Sequence, residues 1–445
     1  MGVIVNSPAI HDLVDADVSV DRIATPFMFV EGPIWHPDGF LLFSDIPGNV
    51  RRRWTQDGRV VEVLRPSNKS NGMTLDADLN LVACQHTTSR VIRAKLNPDG
   101  TEASQETIAS HYEGKELNSP NDVVVKGDGS VYFTDPVYGR WPVVGEVREP
   151  QLDFRGVYRV APGDGDLQLL ADDFVQPNGL CFSPDEQVLY VDDSGVHHIR
   201  RFTVNADGTL AGGEVLIADI GTPEDFEAGV CDGMKCDEHG NIWVTGPGGI
   251  WVVSPEGEHL GTVEVPEHTS NLNWGGPSWD TLFVCASSSV YRVRCKVRGA
   301  HASYMREAAG DEVSEVGDLE QLMNRGWAIT REMFGDAVVD ARIAAMDDLA
   351  RPLDEYVTAY CFGDVWSRPG LTRKMRSMLT IMALIVLGKE RELKGHIRGG
   401  LVNGITWDEM SEIIVHAAAY SGIPSAVGAL LAAREVKESL AEASK

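Results

Sequence analysis

The sequence predicts a multi-domain protein, an all-β six-bladed β-propeller followed by an all-α helical domain, and three observations carry that prediction. A unit of polar opener, turn and strand recurs six times between Glu31 and Val284. The hydrophobic period changes from two residues to about 3.6 beyond the middle of the chain. At 445 residues the chain is also too long for one ordinary core.

The unit is clearest from Gln176 to Asp193. Asn178-Gly179 opens it, Ser183-Pro184-Asp185 turns it, and Val188 to Val191 returns as a strand. In the same way Glu31-Gly32-Pro33 leads to Phe40 to Asp45, Asn71-Gly72-Met73 to Leu79 to Ala83, and Asn121-Asp122-Val123 to Val131 to Asp135. Asp232-Gly233-Met234 leads to Ile242 to Thr245, and Asn271-Leu272-Asn273-Trp274 to Thr281 to Val284. Spacings of roughly 40 to 57 residues suit a four-stranded propeller blade with variable loops. One such sheet cannot bury both its faces, whereas six packed radially can.

The propeller is expected over residues 20–298. Residues 299–320 lose the strand alternation and mix charges, which marks a linker. An all-α domain follows over 321–440, with an amphipathic stretch from Asp347 to Tyr360 and helices from Leu371 to Leu387 and Glu390 to Val402. Thr406-Trp407-Asp408-Glu409 is a capping box opening a helix that Gly422-Ile423-Pro424 closes, and a last helix is expected from about Ser425 to Leu440.

Composition bounds the function. Hydrophobic residues make up 43% and charged residues 24%, as in soluble globular proteins. A net charge of −27 argues against nucleic acid or an anionic membrane as partner, since both need a basic face. The seven cysteines lie at irregular spacing with no C-x-x-C pair, so buried reduced thiols are expected. The N-terminal stretch lacks the basic and apolar regions of a secretory signal, and the longest apolar run, Leu379 to Leu387, suits a buried helix and not a membrane span. A cytoplasmic location is expected.

The inner strands of a propeller run along its central channel, so Glu31, Asn71, Asn121, Asn178, Asp232 and Asn271 are expected to point at one place. Carboxylates and amides suit a hard cation, and no His or Cys falls on the repeat. One divalent ion, Ca²⁺, Mg²⁺, Mn²⁺ or Zn²⁺, is the expected cofactor, polarising a carbonyl while a carboxylate takes a proton from water. The competing explanation is that Asn-Gly and Asp-Gly are turn formers between strands.

Residues 25 to 298 resemble the senescence-marker protein/gluconolactonase/lactonase family of six-bladed propellers. The resemblance rests on Glu31-Gly32-Pro33-x-Trp35, Cys84-Gln85-His86, Ser119-Pro120-Asn121-Asp122, Phe133-Thr134-Asp135-Pro136, Pro177-Asn178-Gly179-Leu180 and Asp232-Gly233-Met234. It implies that Glu31, Asn178 and Asp232 hold the metal, that Asp232 doubles as acid/base, and that Asn121 contacts a small-molecule lactone. Asn71 is expected to line the same mouth, with His86 a weaker candidate for the substrate. Animal members carry an arginine at the position of Ser119, so their sugar contacts do not transfer.

In the helical region, Glu409, Glu412, His416 and Tyr420 form one stripe, and Glu392 and His396 are spaced i, i+4. Composition alone favours a solvated acidic face with local helix pairs. Residues 321 to 440 also resemble the γ-carboxymuconolactone decarboxylase family, through Trp366-Ser367-Arg368-Pro369-Gly370-Leu371, Arg376-Ser377-Met378-Leu379-Thr380, Glu392-Leu393-x-x-His396, Asn403-Gly404-x-Thr406 and His416-x-x-x-Tyr420-x-Gly422-x-Pro424. The resemblance implies decarboxylation without a cofactor and homo-oligomers assembled through this domain. His396 is the first choice for acid/base and His416 the second, with Glu392 orienting and Arg376 or Arg368 holding a carboxylate. Two enzymes acting in successive steps on one lactone is the leading expectation. An aldonolactonase with an oligomerising tail, or a non-catalytic ligand-binding propeller, are the alternatives.

Overall fold

The computed structural model describes residues 2–163, 165–221, 229–300, 319–347, 349–368 and 370–443. It divides into two compact units, Met1–Ala309 and Gly310–Lys445. Most of the expected linker, residues 301–318, lies outside the described residues.

The first unit is a six-bladed propeller. Blade 1 comprises Val30–His36, Phe40–Asp45, Val50–Thr55 and Val60–Leu64, all antiparallel, and the next four blades repeat the order. Blade 6 takes Thr269–Gly275, Thr281–Ala286 and Ser289–Arg294 from the far end of the repeat region and Val20–Ala24 from the near end, so the ring is hydrogen-bonded shut. Val3–Val5, ahead of the expected start at residue 20, adds a fifth strand to blade 5 by pairing with His259–Glu264. The first strand of each blade packs on its neighbours around the axis.

The repeated residues have repeated jobs. Turn aspartates accept backbone N–H groups two or four residues on: Asp76 from Asp78 and Asn80, Asp128 from Ser130, Asp185 from Gln187, and Asp237 from His239 and Asn241. A second set ends the second strand and caps the loop before the first: Asp45 accepts from Met28 and Phe29, Asp135 from Asn118 and Ser119, and Asp193 from Val175 and Gln176. Loop N–H groups are thereby satisfied in the same way in blades 1, 3 and 4. Stacking of Trp35 on Phe283 at 5.2 Å joins blades 1 and 6, and an edge contact of Trp243 with Trp274 at 5.1 Å joins blades 5 and 6.

The glycines after the openers do not make turns. They lie within or beside inner strands, and a Cβ on Gly32, Gly72, Gly179 or Gly233 would meet backbone of the next blade's opener at less than 3.0 Å. Glycine is required here because adjacent inner strands converge on the axis, so the turn-former explanation is replaced by close approach.

The second unit is helical, with Leu319–Phe334, Asp336–Ala344, Arg351–Tyr356 continued by a π-helical turn Val357–Asp364, then Arg373–Val386, Glu390–Val402, Trp407–Ser421 and Ile423–Ala443. The capping box is present, with Thr406 Oγ1 accepting from Glu409 N and Glu409 Oε2 from Thr406 N. The Leu379 to Leu387 run is not wholly buried as expected: Ile381 and Ile385 enter the core, whereas Leu379, Val386 and Leu387 face outward because the helix is amphipathic. Among the described residues no helix is long and apolar enough to cross a membrane. Six cysteines are buried free thiols and Cys361 is half-buried.

Candidate active sites

At one end of the propeller channel the six openers form a polar floor, all buried except Asp232, which is partly accessible. Asn271 Nδ2 donates to Glu31 Oε2 at 2.8 Å, fixing that carboxylate. Asn178 hydrogen-bonds Asp232, which also feels the charge of Glu31. Asn121 caps the inner strand of blade 3, its carbonyl accepting from Gly72 N at 2.8 Å. Glu31, Asn178, Asp232 and Asn271 are thus brought together as the repeat predicts, with Asn121 beside them.

Burial raises the Glu31 carboxyl to about 8, with the charge of Asp122 adding to the shift. Burial, then the charge of Glu31, pushes Asp232 well above the usual carboxylate range. Two such carboxylates favour a cation between them. Among the described residues no three His, Cys, Asp or Glu side chains form a metal-binding group, so an ion here would need amide oxygens to complete its shell. The chemistry supports that completion. Asn178 Nδ2 donates to Ser194 Oγ at 2.9 Å, which turns its amide oxygen the other way, toward a ligand role. Asn71 Oδ1 is buried without a hydrogen-bond partner. An oxygen-rich set of this kind fits a hard divalent cation.

His86 stands behind Asn71. Its Nδ1 faces the Val144 carbonyl at 2.9 Å, which can only accept, so Nδ1 carries the proton and Nε2 accepts from Asn71 Nδ2 at 3.2 Å. Burial holds the imidazole down to about 4, so it is neutral near pH 7. The expectation that His86 reaches substrate is not what its contacts show, because protein partners occupy both ring nitrogens and Asn71 takes the outward place.

Two further residues of the channel, Asp122 and Asp192, were not singled out as site residues from the sequence. Asp122 occupies the place that glycine holds in most blades and pairs with Lys235 Nζ at 3.7 Å. Asp192 occupies the place of Ser44 and Thr134, whose hydroxyls donate to the Asn71 and Asn178 carbonyls. Burial, then the charge of Asp232, raises its carboxyl well above the usual range, and the Gly179 backbone N–H opposes that shift. The doublet Asp192-Asp193, set against Ser44-Asp45 and Thr134-Asp135, is the sequence signal for it. Ser119 accepts from Gly139 N at 3.0 Å and donates to the Pro136 carbonyl at 2.6 Å, holding the segment that follows blade 3's second strand.

In the helical unit, His396 lies on the Glu390–Val402 helix against Phe334 and Trp366, at ring distances of 5.8 and 6.2 Å. Burial lowers its pKa, Glu392 opposes that shift, and its Nδ1 is buried without a hydrogen-bond partner. His416 is placed elsewhere, exposed on the Trp407–Ser421 helix with its ring 5.1 Å from Tyr420. Glu409 is spent on the capping box and on Lys374. Arg368 is paired with Asp364 at 3.0 Å, and Arg376 donates to the Arg368 carbonyl. His396 and Glu392 are brought together, whereas no contact joins His416 to them.

Residues 29–288 match the family model described as the SMP-30/Gluconolactonase/LRE-like region, and residues 351–435 match that of the carboxymuconolactone decarboxylase family. The chain is 35% identical over 314 residues to a gluconolactonase of Zymomonas mobilis subsp. mobilis, covering 66% of this chain and 86% of that protein. It is 36% identical over 121 residues to a 4-carboxymuconolactone decarboxylase of Acinetobacter baylyi, covering 27% of this chain and 90% of that protein. A solved gluconolactonase structure from Xanthomonas campestris superposes with a TM-score of 0.60 at 30% identity, covering 66% of this chain and 95% of that one.

Proposed function

Because the chain belongs to the SMP-30/gluconolactonase/LRE-like family through its propeller and to the carboxymuconolactone decarboxylase family through its helical part, we propose that it is a divalent-metal-dependent lactone hydrolase fused to a cofactor-free decarboxylase, the two acting in successive steps on one lactone. The observation that carries the hydrolase is the pairing of two buried carboxylates of raised pKa, Glu31 and Asp232, with oriented amides at one channel mouth.

Glu31, Asp232 and the Asn178 amide oxygen would hold the ion. When bound, it supplies charge neutralisation and polarisation of the lactone carbonyl. Asp232, partly accessible and made more basic by burial and by Glu31, takes the proton of the attacking water. As the ring C–O bond breaks, the same carboxyl returns the proton to the leaving oxygen. Asn121 and Asn71, amides on neighbouring inner strands, bind the lactone's other oxygens.

In the helical unit His396, beside Glu392 and walled by Phe334 and Trp366, is the proton carrier. The substrate carboxylate leaves as CO₂, its electron pair moves into the conjugated lactone carbonyl to give a dienolate, and His396 delivers a proton to the dienolate carbon beside that carbonyl, leaving an enol-lactone. Arg376 or Arg368 would bind the substrate carboxylate after exchanging its present partner. A panel of aldonolactones and carboxylated unsaturated lactones, assayed with and without chelator and scored separately for ring opening and CO₂ release, tests the proposal. Ring opening without CO₂ release from any substrate would remove the successive steps.

A second reading makes the helical unit an assembly module. Ile423, Val427 and Leu431 form an exposed apolar stripe at helical spacing on the Ile423–Ala443 helix, which a second copy of the chain would cover. Under that reading His396→Ala leaves every activity unchanged, and the oligomer dissociates when Ile423 and Leu431 are replaced by Lys.

A further inference from the structure

We propose that Lys235 is a positioning residue for the ion, an internal ammonium that claims Asp122 and leaves Glu31 and Asp232 as the carboxylates open to a divalent cation. The proposal deepens the lactonase reading and rests on its assignment of Glu31, Asn178 and Asp232 as ligands. Both members of the pair break the blade pattern. Asp122 follows the opener Asn121 where Gly32, Gly72, Gly179 and Gly233 follow theirs, and Lys235 is the only Lys or Arg on the first strands of the six blades.

The pair spans the channel. Lys235 lies on Met234–Cys236, the first strand of blade 5, and Asp122 directly precedes Val123–Val125, the first strand of blade 3. Pro177–Phe182, the first strand of blade 4, stands between them around the ring. Lys235 Nζ nevertheless lies 3.7 Å from Asp122 Oδ2, and it donates to the Met234 carbonyl at 2.9 Å. Asp122 is buried, and its Oδ1 accepts from Val123 N at 2.9 Å, which leaves Oδ2 as the atom facing the ammonium. A Cβ on Gly72 would meet Asp122 Oδ1 and the Asn121 carbonyl within 3.0 Å, so this carboxylate is wedged against the strand that carries Asn71. Depth in the channel follows from position along the strands. Asp122 is one residue past its opener, about 3.3 Å along a strand, whereas Lys235 is further from Asp232 on its own. To meet Asp122 the lysine side chain must turn back toward the openers, which sets its charge just beneath them.

A buried carboxylate without a cation is costly, so Asp122 takes either a fixed cation or a share of a mobile one. Lys235 supplies the fixed one. A mobile ion is thereby left to Glu31 and Asp232 at the channel mouth, where a lactone enters, and is not drawn one residue deeper to Asp122. The two charges also act on the site: burial, then the charge of Asp122, raises the Glu31 carboxyl, and the charge of Lys235 lowers it. An ammonium in this place repels a dication. Its removal should therefore tighten ion binding, whereas loss of a pair that only braces the fold would loosen it.

The experiment is calorimetric titration of CaCl₂ and, separately, MnCl₂ into the chelator-stripped full chain without substrate. The variants are Lys235→Met, Lys235→Arg, Asp122→Asn and the double replacement Lys235→Met with Asp122→Asn. Lys235→Met is expected to tighten ion binding about tenfold, and Asp122→Asn, which leaves the ammonium without its counterion, to weaken it about tenfold. The double replacement, neutral at both positions, and Lys235→Arg, which keeps the charge, should both lie within about threefold of wild type. Unchanged or weaker binding in Lys235→Met overturns the proposal, as does unchanged or tighter binding in Asp122→Asn. Tightening by Lys235→Arg equal to that by Lys235→Met also overturns it. If Lys235→Met does not fold, the double replacement must bind more tightly than Asp122→Asn alone, and equal or weaker binding overturns the proposal. If the unaltered chain takes up neither ion, the metal-dependent reading fails first and this one falls with it.

Discussion

Replacing Gly179 by Ala tests whether the opener glycines serve close approach around the axis. The added Cβ would meet the Asp232 carbonyl oxygen well inside 3.0 Å and Asp192 Oδ2 at 2.8 Å. The carbonyl oxygen is backbone and cannot swing aside, so relief requires about 1 Å of relative movement between the inner strands of blades 4 and 5, and overpacking of this kind costs about 1–3 kcal/mol or more. The same movement displaces Asp232, and a displacement of about 1 Å at a reacting group costs about 100-fold in rate. Urea unfolding of the propeller, followed by tryptophan fluorescence, should therefore show a lower midpoint, and lactone opening should fall by one to two orders of magnitude. Gly395→Ala is the control, because that helix position is open within 4 Å and the substitution should stabilise by about 0.5–1 kcal/mol. Gly179→Ala with unchanged midpoint and unchanged turnover would refute the close-approach reasoning and restore the turn-former explanation.

Asp232→Ala should lower ring opening about 10²- to 10⁴-fold while leaving CO₂ release within twofold, and equal loss of both would contradict separate sites. In chelator, Glu31 keeps its proton up to about 8 when folded but releases it near 4.5 when unfolded, so the folded state binds more protons across that window and stability falls as pH rises through it. Melting midpoints at pH 5, 6, 7 and 8 should decline in chelator and flatten with added divalent ion; a rise with pH in chelator would oppose the assigned shift. His396→Phe should abolish CO₂ release, whereas His416→Ala, on the exposed Trp407–Ser421 helix, should retain it within threefold. The reverse pattern in mass-spectrometric CO₂ release would move the site to His416.

The blade repeat was legible because several blades solve the same local problems with the same residues: an aspartate for the turn, a second for the loop, and a glycine where strands converge. What escaped was set by neighbours distant in sequence. Asp192 reads as an ordinary member of Tyr190-Val191-Asp192-Asp193 until Asp232, Asp122 and Gly179 are packed around it. His86 reads as a candidate substrate group until residues 142–145 fold back to take its Nδ1. The helical stripe shows the limit of spacing alone, since Glu409, Glu412, His416 and Tyr420 share a face, yet the cap consumes Glu409 and His416 and Tyr420 remain exposed. His396 differs because Phe334 and Trp366, from other helices, remove it from water and lower its pKa. Periodicity identifies which residues share a direction, and packing decides which of them acquire altered chemistry. The candidate acid/base residues of both units, Asp232 and His396, are the ones that combine the two.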